Sequence, residues 1–189
     1  AVAVAAALGS APGFPQSILA GDTRIYFSAG NPANLSHLWS TDGVSAPVAL
    51  TEGDDLGPFG QLFVDGDRVY FQRKDPTLGR EPWVSEGTPE STRNLADVFA
   101  GATSSNPRGF RSVGGAVLFV AQSQGAPAIR YEVWRTDGTP EGTARVPDSP
   151  SFLAVGATFA HGGQMYFAAD GNDGHGQELW YSDGTTTAL

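Results

Sequence analysis

The sequence predicts an all-β fold, a four-bladed β-propeller made of four repeats of about 47 residues. The first observation behind this prediction is a motif in which a tryptophan is followed three residues later by Asp or Glu and then by Gly. Successive tryptophans are 44, 51 and 46 residues apart. A fixed period of this length is typical of stacked or radially arranged units. The motif residues are Trp39, Asp42, Gly43, Trp83, Glu86, Gly87, Trp134, Asp137, Gly138, Trp180, Asp183 and Gly184.

The second observation is a hairpin pattern ahead of each tryptophan. A tight glycine turn precedes an alternating run of β-forming residues, as in Val69-Tyr70-Phe71 after Asp65-Gly66-Asp67. Such pairs are the residues that two-residue hairpin turns require. The tryptophan segment then supplies a third strand, and a short segment such as 47–50 supplies a fourth. Each repeat is therefore predicted to be one four-stranded blade.

We expect residues 1–189 to form one domain, because the repeats run from end to end of the chain. The segment from Thr185 to Leu189 is predicted to be the outer strand of a blade whose other strands open the chain. Pairing of the N- and C-terminal segments would then close a ring of four blades.

Composition excludes several classes of function. A net charge of -9 repels nucleic acid phosphates and anionic lipid surfaces. No apolar run reaches the 18 or more residues of a membrane helix, so membrane insertion is not expected. The chain has no cysteine, which excludes disulfides and thiolate metal sites. We therefore expect a soluble protein with no nucleic acid partner.

The repeated aromatic and acidic residues have two possible roles. The four tryptophans are either ligand-stacking platforms or residues that pack one blade against another, and packing is favoured because every repeat must bury its face. Asp42, Asp137 and Asp183, with Glu86 in the same place, are either carboxylates of a site or caps of their own turns. Turn capping is favoured.

One loop suggests ion binding. Asp170, Asn172 and Asp173 place oxygen ligands at short spacing in a glycine-rich segment, which indicates a possible calcium site. The segment departs from the EF-hand pattern, and the same residues are ordinary hairpin chemistry. Calcium is the one cofactor that the sequence suggests.

Catalytic motifs are absent from the sequence. His37, His161 and His175 occupy different places in their repeats, and there is no Gly-x-Ser-x-Gly elbow, His-Glu-x-x-His pair or phosphate loop. The sequence therefore predicts a protein without a catalytic site. Carboxylates gathered at the mouth of a central channel stay open as an alternative.

Glu178-Leu179-Trp180-Tyr181-Ser182-Asp183-Gly184-Thr185 resembles the Glu-Leu-Trp-x-x-Asp-Gly-Thr signature of a bacterial repeat family of large secreted and surface proteins. The segment from Glu132 to Thr139 is similar, whereas the first two repeats depart from the signature. The resemblance implies an extracytoplasmic, propeller-like repeat protein. It implies structural roles only for the signature residues.

The leading hypothesis is an extracellular or cell-surface binding module without catalytic activity. Loops on one face of the propeller would bind a glycan or another extracellular protein. One alternative is a purely structural module of a surface or coat assembly. The other is a hydrolase with carboxylates around the central channel.

Overall fold

The fold, taken from a computed structural model, is built from strands alone in the part of the chain that it describes. The described residues are 15–30, 36–51, 56, 61–123 and 130–189. They contain no helix, and hence none that is long and apolar enough to cross a membrane. The strands are β1 Pro15–Ala20, β2 Ile25–Gly30, β3 Ser36–Thr41, β4 Val48–Ala49, β5 Phe63–Asp65, β6 Arg68–Asp75, β7 Gly79–Ser85, β8 Arg93–Asn94, β9 Arg108–Val113, β10 Ala116–Ser123, β11 Arg130–Thr136, β12 Ala144–Arg145, β13 Ala154–His161, β14 Gln164–Asp170, β15 Gln177–Ser182 and β16 Thr187–Ala188.

The strands form four four-stranded antiparallel sheets, each from one continuous stretch of chain. The first sheet is β1–β4, the second β5–β8, the third β9–β12 and the fourth β13–β16. The same register recurs in each, because the tryptophan of the third strand lies opposite a phenylalanine of the second. These pairs are Phe27 with Trp39, Phe71 with Trp83, Phe119 with Trp134 and Phe167 with Trp180. The prediction of an all-β, propeller-like fold with one four-stranded unit per repeat is confirmed.

The predicted hairpins begin at the glycine turns. In the third sheet, Gly114 and Gly115 join β9 to β10 with φ angles of 59° and 83°. Positive φ at both central residues is the geometry of a type I′ turn, which matches the twist of the flanking strands. Glycine adopts this conformation without steric cost.

The terminal strands do not form the predicted clasp. β16 pairs with β15 of the fourth sheet, with Tyr181 opposite Ala188 and Ser182 opposite Thr187. β1 pairs with β2 of the first sheet. The chain folds locally, so each terminal strand completes its own sheet. Residues 1–14 of the predicted N-terminal partner lie outside the described residues, and closure of the ring is not confirmed.

The core lies in three seams between successive sheets. Each seam is lined by the second-strand and third-strand residues of the two facing sheets, such as Tyr26 and Phe71 in the first seam and Leu118 and Phe167 in the third. These four side chains are essentially inaccessible to solvent. Full burial of a phenylalanine contributes about 1.5–3 kcal/mol, so the seams dominate the stability of the array.

Polar contacts at the Glu-Gly or Asp-Gly turn fix the first two seams at one edge. The carbonyl oxygen of Gly87 accepts a hydrogen bond of 2.6 Å from Ser40 Oγ in the preceding sheet. In the next seam, Arg68 Nη1 donates to the Asp137 carbonyl at 2.7 Å. A Cβ at Gly87 would lie 2.5 Å from Arg24 Cδ, so the close approach of the two sheets requires glycine there.

Candidate functional site

A cleft of about 320 Å³ opens between the second and third sheets. We call it the amide cleft, because amide side chains make up most of its lining. β6 and β10 each supply a glutamine, the connection from β8 to β9 supplies an Asn-Pro pair, the first residue of β9 supplies an arginine, and a glutamine just ahead of β5 completes the lining. The lining residues are Gln61, Gln72, Asn106, Pro107, Arg108 and Gln122.

Asn106 is held in an unusual backbone conformation at the edge of this cleft. Its φ angle is 48°, in the left-handed region that residues other than glycine adopt infrequently. The conformation is fixed by hydrogen bonds from its backbone N–H to the Arg80 carbonyl at 3.2 Å and from its Nδ2 to Gln122 Oε1 at 3.0 Å. Strained residues of this kind concentrate at functional sites, because the surrounding structure must hold them.

Arg108 and Gln122 are both positioned by Tyr131. The guanidinium carbon of Arg108 lies 4.4 Å from the centre of the Tyr131 ring, within the range of a cation–π interaction. Gln122 Nε2 donates to the Tyr131 hydroxyl at 3.1 Å. This hydrogen bond, together with Arg108, lowers the pKa of Tyr131. The guanidinium group of Arg108 is therefore held in a defined position at the amide cleft.

Glu81 anchors the segment that leads to Asn106. The side chain is fully buried and accepts hydrogen bonds from Val98 N at 2.8 Å, Ser105 N at 2.9 Å and Ser105 Oγ at 2.7 Å. Burial raises its pKa to about 7, although the hydrogen bonds act in the opposite direction. Glu81 does not line the amide cleft. It contacts the connection from β8 to β9, and that connection carries Asn106.

The amide cleft is suited to holding a polar molecule. Each amide group both donates and accepts hydrogen bonds, and the guanidinium of Arg108 favours a negative or partly negative group. No carboxylate is among its lining residues, so these side chains bind and orient rather than transfer protons. The carboxylates expected at a channel mouth are not part of this cleft.

The loop proposed for calcium has a different arrangement from the predicted one. Asp170 Oδ1 accepts the Asn172 N–H at 2.8 Å, and Asp173 Oδ1 accepts the His175 N–H at 3.0 Å. The ligand atoms that come together, within 4.8 Å of one another, belong to Asp173, His175 and Glu178. Asp173 is the one predicted ligand in this group, and calcium binding stays a prediction.

The acidic residues of the repeated turns lie where turn capping would place them. Asp42 Oδ1 accepts the Val44 N–H at 2.9 Å, and Asp183 Oδ1 accepts the Thr185 N–H at 2.8 Å. Hydrogen bonds from Thr185 and Thr186 lower the pKa of Asp183 to about 2. Asp137 makes the same turn contact, whereas the longer Glu86 reaches Arg68 instead, at 3.2 Å.

The four tryptophans are partly buried and lie against other side chains of the fold. Trp39 and Trp134 stack on the phenylalanines opposite them at centroid distances of 6.4 Å, and Trp180 meets Phe152 edge to face at 5.1 Å. The guanidinium carbon of Arg73 lies 4.6 Å from the Trp83 ring. None of the four lines the amide cleft.

Sequence reasoning missed the amide cleft altogether. Its glutamines occupy different places in their repeats and form no motif. The one local signal is Asn106-Pro107, since an Asn-Pro pair favours a turn ahead of a strand. That signal places a turn but does not identify a binding residue.

No protein-family model and no curated relative matches the sequence. Among solved structures, the chain is similar to puromycin hydrolase with a TM-score of 0.57 and 16% identity, over 94% of this chain and 31% of that one. It also matches a family 117 glycoside hydrolase from Zobellia galactanivorans, with a TM-score of 0.47, 10% identity, and coverage of 89% and 65%. A third match is an α-L-arabinofuranosidase from Clostridium thermocellum, with a TM-score of 0.40, 15% identity, and coverage of 93% and 70%.

These comparisons correct the functional prediction. The interpretation of the chain as a binding module without catalysis, and not an enzyme, is corrected on this finding, because the fold that it shares with puromycin hydrolase is one that an enzyme uses. The puromycin hydrolase match shows the fold alone, since identity is low. The chain spans about a third of the length of that enzyme.

Proposed function

We propose that the chain forms part of a hydrolase and that the amide cleft holds the substrate. The observation that carries the proposal is the amide cleft itself, in which Asn106 and Arg108 are fixed by hydrogen bonds and ring contacts. Support for hydrolysis comes from the shared fold with puromycin hydrolase. Preorganised groups of this kind favour binding because little order is lost when the ligand arrives.

The lining residues indicate the chemical class of the substrate. Amide side chains suit a molecule with several hydroxyl or carbonyl groups, and Arg108 suits a carboxylate or the oxyanion that develops during hydrolysis of a carbonyl group. Arg108 and Asn106 would orient the scissile group. The groups that transfer protons would come from described residues outside the lining of the amide cleft, because that lining has no carboxylate.

An extracellular location, a glycan partner and the bound calcium stay predictions alongside this proposal. A glycan fits the amide cleft, since sugar hydroxyls both donate and accept hydrogen bonds. The ELWxxDGT resemblance favours secretion.

The proposal is tested by incubating the purified chain with a panel of nitrophenyl glycosides and aminoacyl nitroanilides. We expect release of the chromophore from one class, and an increase in KM of about tenfold or more in Arg108→Gln, because a charged hydrogen bond contributes about 1.5–3 kcal/mol. Arg145→Gln is the matched control. Arg145 lies outside the cleft and pairs with Glu132 at 3.3 Å.

Two results would overturn the proposal. One is a panel in which no substrate is cleaved. The other is cleavage that Arg108→Gln and Arg145→Gln affect equally, which would place the substrate away from the amide cleft.

A further inference from the structure

One position of the repeat signature is buried in three sheets and exposed in the fourth. This is the residue just before the tryptophan. Leu38, Pro82 and Val133 are buried at this position, whereas Leu179 is 66% exposed. In the first three sheets, the next sheet covers the face that carries this residue, which we call the front face. In the fourth sheet, the front face has no cover among the described residues.

The uncovered front face of the fourth sheet is a continuous apolar surface. Phe159, Tyr166 and Tyr181 lie side by side across three strands, because Tyr166 is opposite both of the other two in the pairing register. Phe159 is 64% exposed, and the rings of Tyr166 and Tyr181 are 6.1 Å apart. The corresponding Tyr26 and Tyr70 are fully buried in their seams. Contiguous apolar surface of this kind marks an interaction site.

At the opposite end of the array, no sheet among the described residues lies against the other face of the first sheet, which we call the back face. Ile25 of the first sheet is 41% exposed, whereas the matching Val69, Val117 and Met165 of the later sheets are buried against the sheet before them. Among the described residues, one front face and one back face of the four sheets are therefore uncovered.

The turn glycines show the same difference. Gly87, Gly138 and Gly184 are buried, and a Cβ on any of them would lie 2.5–3.1 Å from a side chain of the preceding sheet. Gly43 has the same positive φ, 77°, yet nothing lies within 4 Å of a Cβ placed there. The Asp42-Gly43 turn of the first sheet therefore has the conformation of the other three turns, but it contacts no front face among the described residues.

We propose that the fourth sheet of one copy of this chain packs its front face against the back face of the first sheet of a second copy. Two such contacts, related by a two-fold axis, would join two four-sheet arrays into a closed ring of eight sheets. The Asp42-Gly43 turn of each copy would then sit on Tyr166 of the other. Gln164 occupies the place of Arg24 and Arg68, and its amide can donate to the turn carbonyl as those arginines do.

A second copy fits these faces better than the chain's own first sheet does. No hydrogen bond, ion pair or ring contact joins the first and fourth sheets among the residues that the structure describes. Bringing them together within one chain would require all three filled seams to change their angles, and close-packed interfaces do not deform continuously. A second copy leaves the three seams as they are.

The first test is the mass of the chain in solution, measured by size-exclusion chromatography with light scattering at about 50 μM, a concentration chosen for contacts of micromolar affinity. We expect a dimer, and a monomer for Leu179→Asp, which puts a charge in the middle of the contact. Leu153→Asp is the matched control, because Leu153 is 39% exposed and precedes the strand that bears Phe159. It should stay dimeric. A monomeric parent chain, or a dimer that Leu179→Asp leaves intact, overturns the proposal.

Crosslinking distinguishes the second copy from the chain's own first sheet. The chain has no cysteine, so Val44→Cys with Tyr166→Cys introduces one thiol at each end of the array. A short bismaleimide should give a covalent dimer on a denaturing gel. Crosslinked chains that keep the mass of a monomer would show that each array closes on itself, which would overturn the proposal.

Discussion

The second and fourth repeats place the same signature in opposite surroundings. The fourth matches the ELWxxDGT pattern in full, yet its Leu179 is largely exposed. The second departs from the pattern at Pro82 and Glu86, yet its Glu81 is fully buried and accepts three hydrogen bonds. Agreement with the signature therefore does not measure how firmly a repeat is held.

The difference has a physical cause. The Asp-Gly-Thr part of the signature stabilises a turn within its own repeat, so it works wherever the repeat lies. The side chains of the Glu-Leu-Trp part project alternately from the two faces of the sheet. Each is buried only where another sheet or a connecting segment lies against its face. Glu81 has the connection to the third sheet as its partner, and Leu38 has the second sheet.

The largest effect expected from this comparison is at the leucine position. Leu38→Ala should destabilise the chain by about 2–5 kcal/mol, because it leaves a cavity in a filled seam. Leu179→Ala should change the stability of the single chain by less than about 0.5 kcal/mol, since the side chain is mostly in water. Urea unfolding at low protein concentration, where copies do not associate, measures both free energies. Equal losses would mean that both leucines are buried in solution.

The next effect is a dependence on pH that belongs to the second repeat. Burial raises the pKa of Glu81 to about 7 in the folded chain, from the ordinary value of 4.5 that applies in the unfolded chain. The unfolded chain therefore loses this proton first, and the contribution of Glu81 to stability falls as the pH rises from 4.5 through 7. The free energy of unfolding of the parent chain, taken relative to Glu81→Gln, should decline by roughly 2 kcal/mol over this range.

Urea unfolding of both proteins at pH 5 and pH 8 gives this difference. At pH 5, Glu81→Gln itself should cost about 1–3 kcal/mol, because the new amide nitrogen cannot accept the N–H of Val98 or Ser105. Glu178→Gln, the same change in the fourth repeat, should cost less than about 0.5 kcal/mol at that pH. A difference that stays constant between the two pH values would indicate that Glu81 is ionised in the folded chain at both.

The sequence predicted the repeats, the four-stranded units and the turns because each depends on residues close together in the chain. Trp134 and Asp137 are three residues apart, and the turn they introduce forms locally. The closure of the ring is not confirmed, and it could not be derived from local residues because it depends on where two distant ends meet. The amide cleft was missed for the same reason, since Gln72 and Gln122 come from different sheets and only packing of the second sheet on the third brings them together.

The smallest effect on stability is expected at the acidic turn residue. Its carboxylate contacts its own turn in the fourth repeat and an arginine in the second. Asp183 accepts two backbone N–H groups of its own turn, from Thr185 at 2.8 Å and Thr186 at 2.9 Å. Asp183→Glu lengthens the side chain beyond that geometry and should cost about 1 kcal/mol, measured by urea unfolding. In the second repeat, Ser91 Oγ accepts the Thr88 N–H at 3.2 Å in place of the turn carboxylate, and the Glu86 carboxylate reaches Arg68 instead.

Glu86→Asp shortens the side chain and removes this contact with Arg68, which belongs to the same sheet. It should cost about 0–1 kcal/mol, the usual range for an exposed ion pair, and the loss should shrink in 1 M salt. The loss in Asp183→Glu should persist in 1 M salt, because fixed hydrogen bonds within one turn are screened less than a mobile surface pair. Loss of both effects in salt would mean that the turn carboxylate acts through its charge in both repeats, and that the difference between the two repeats lies in packing alone.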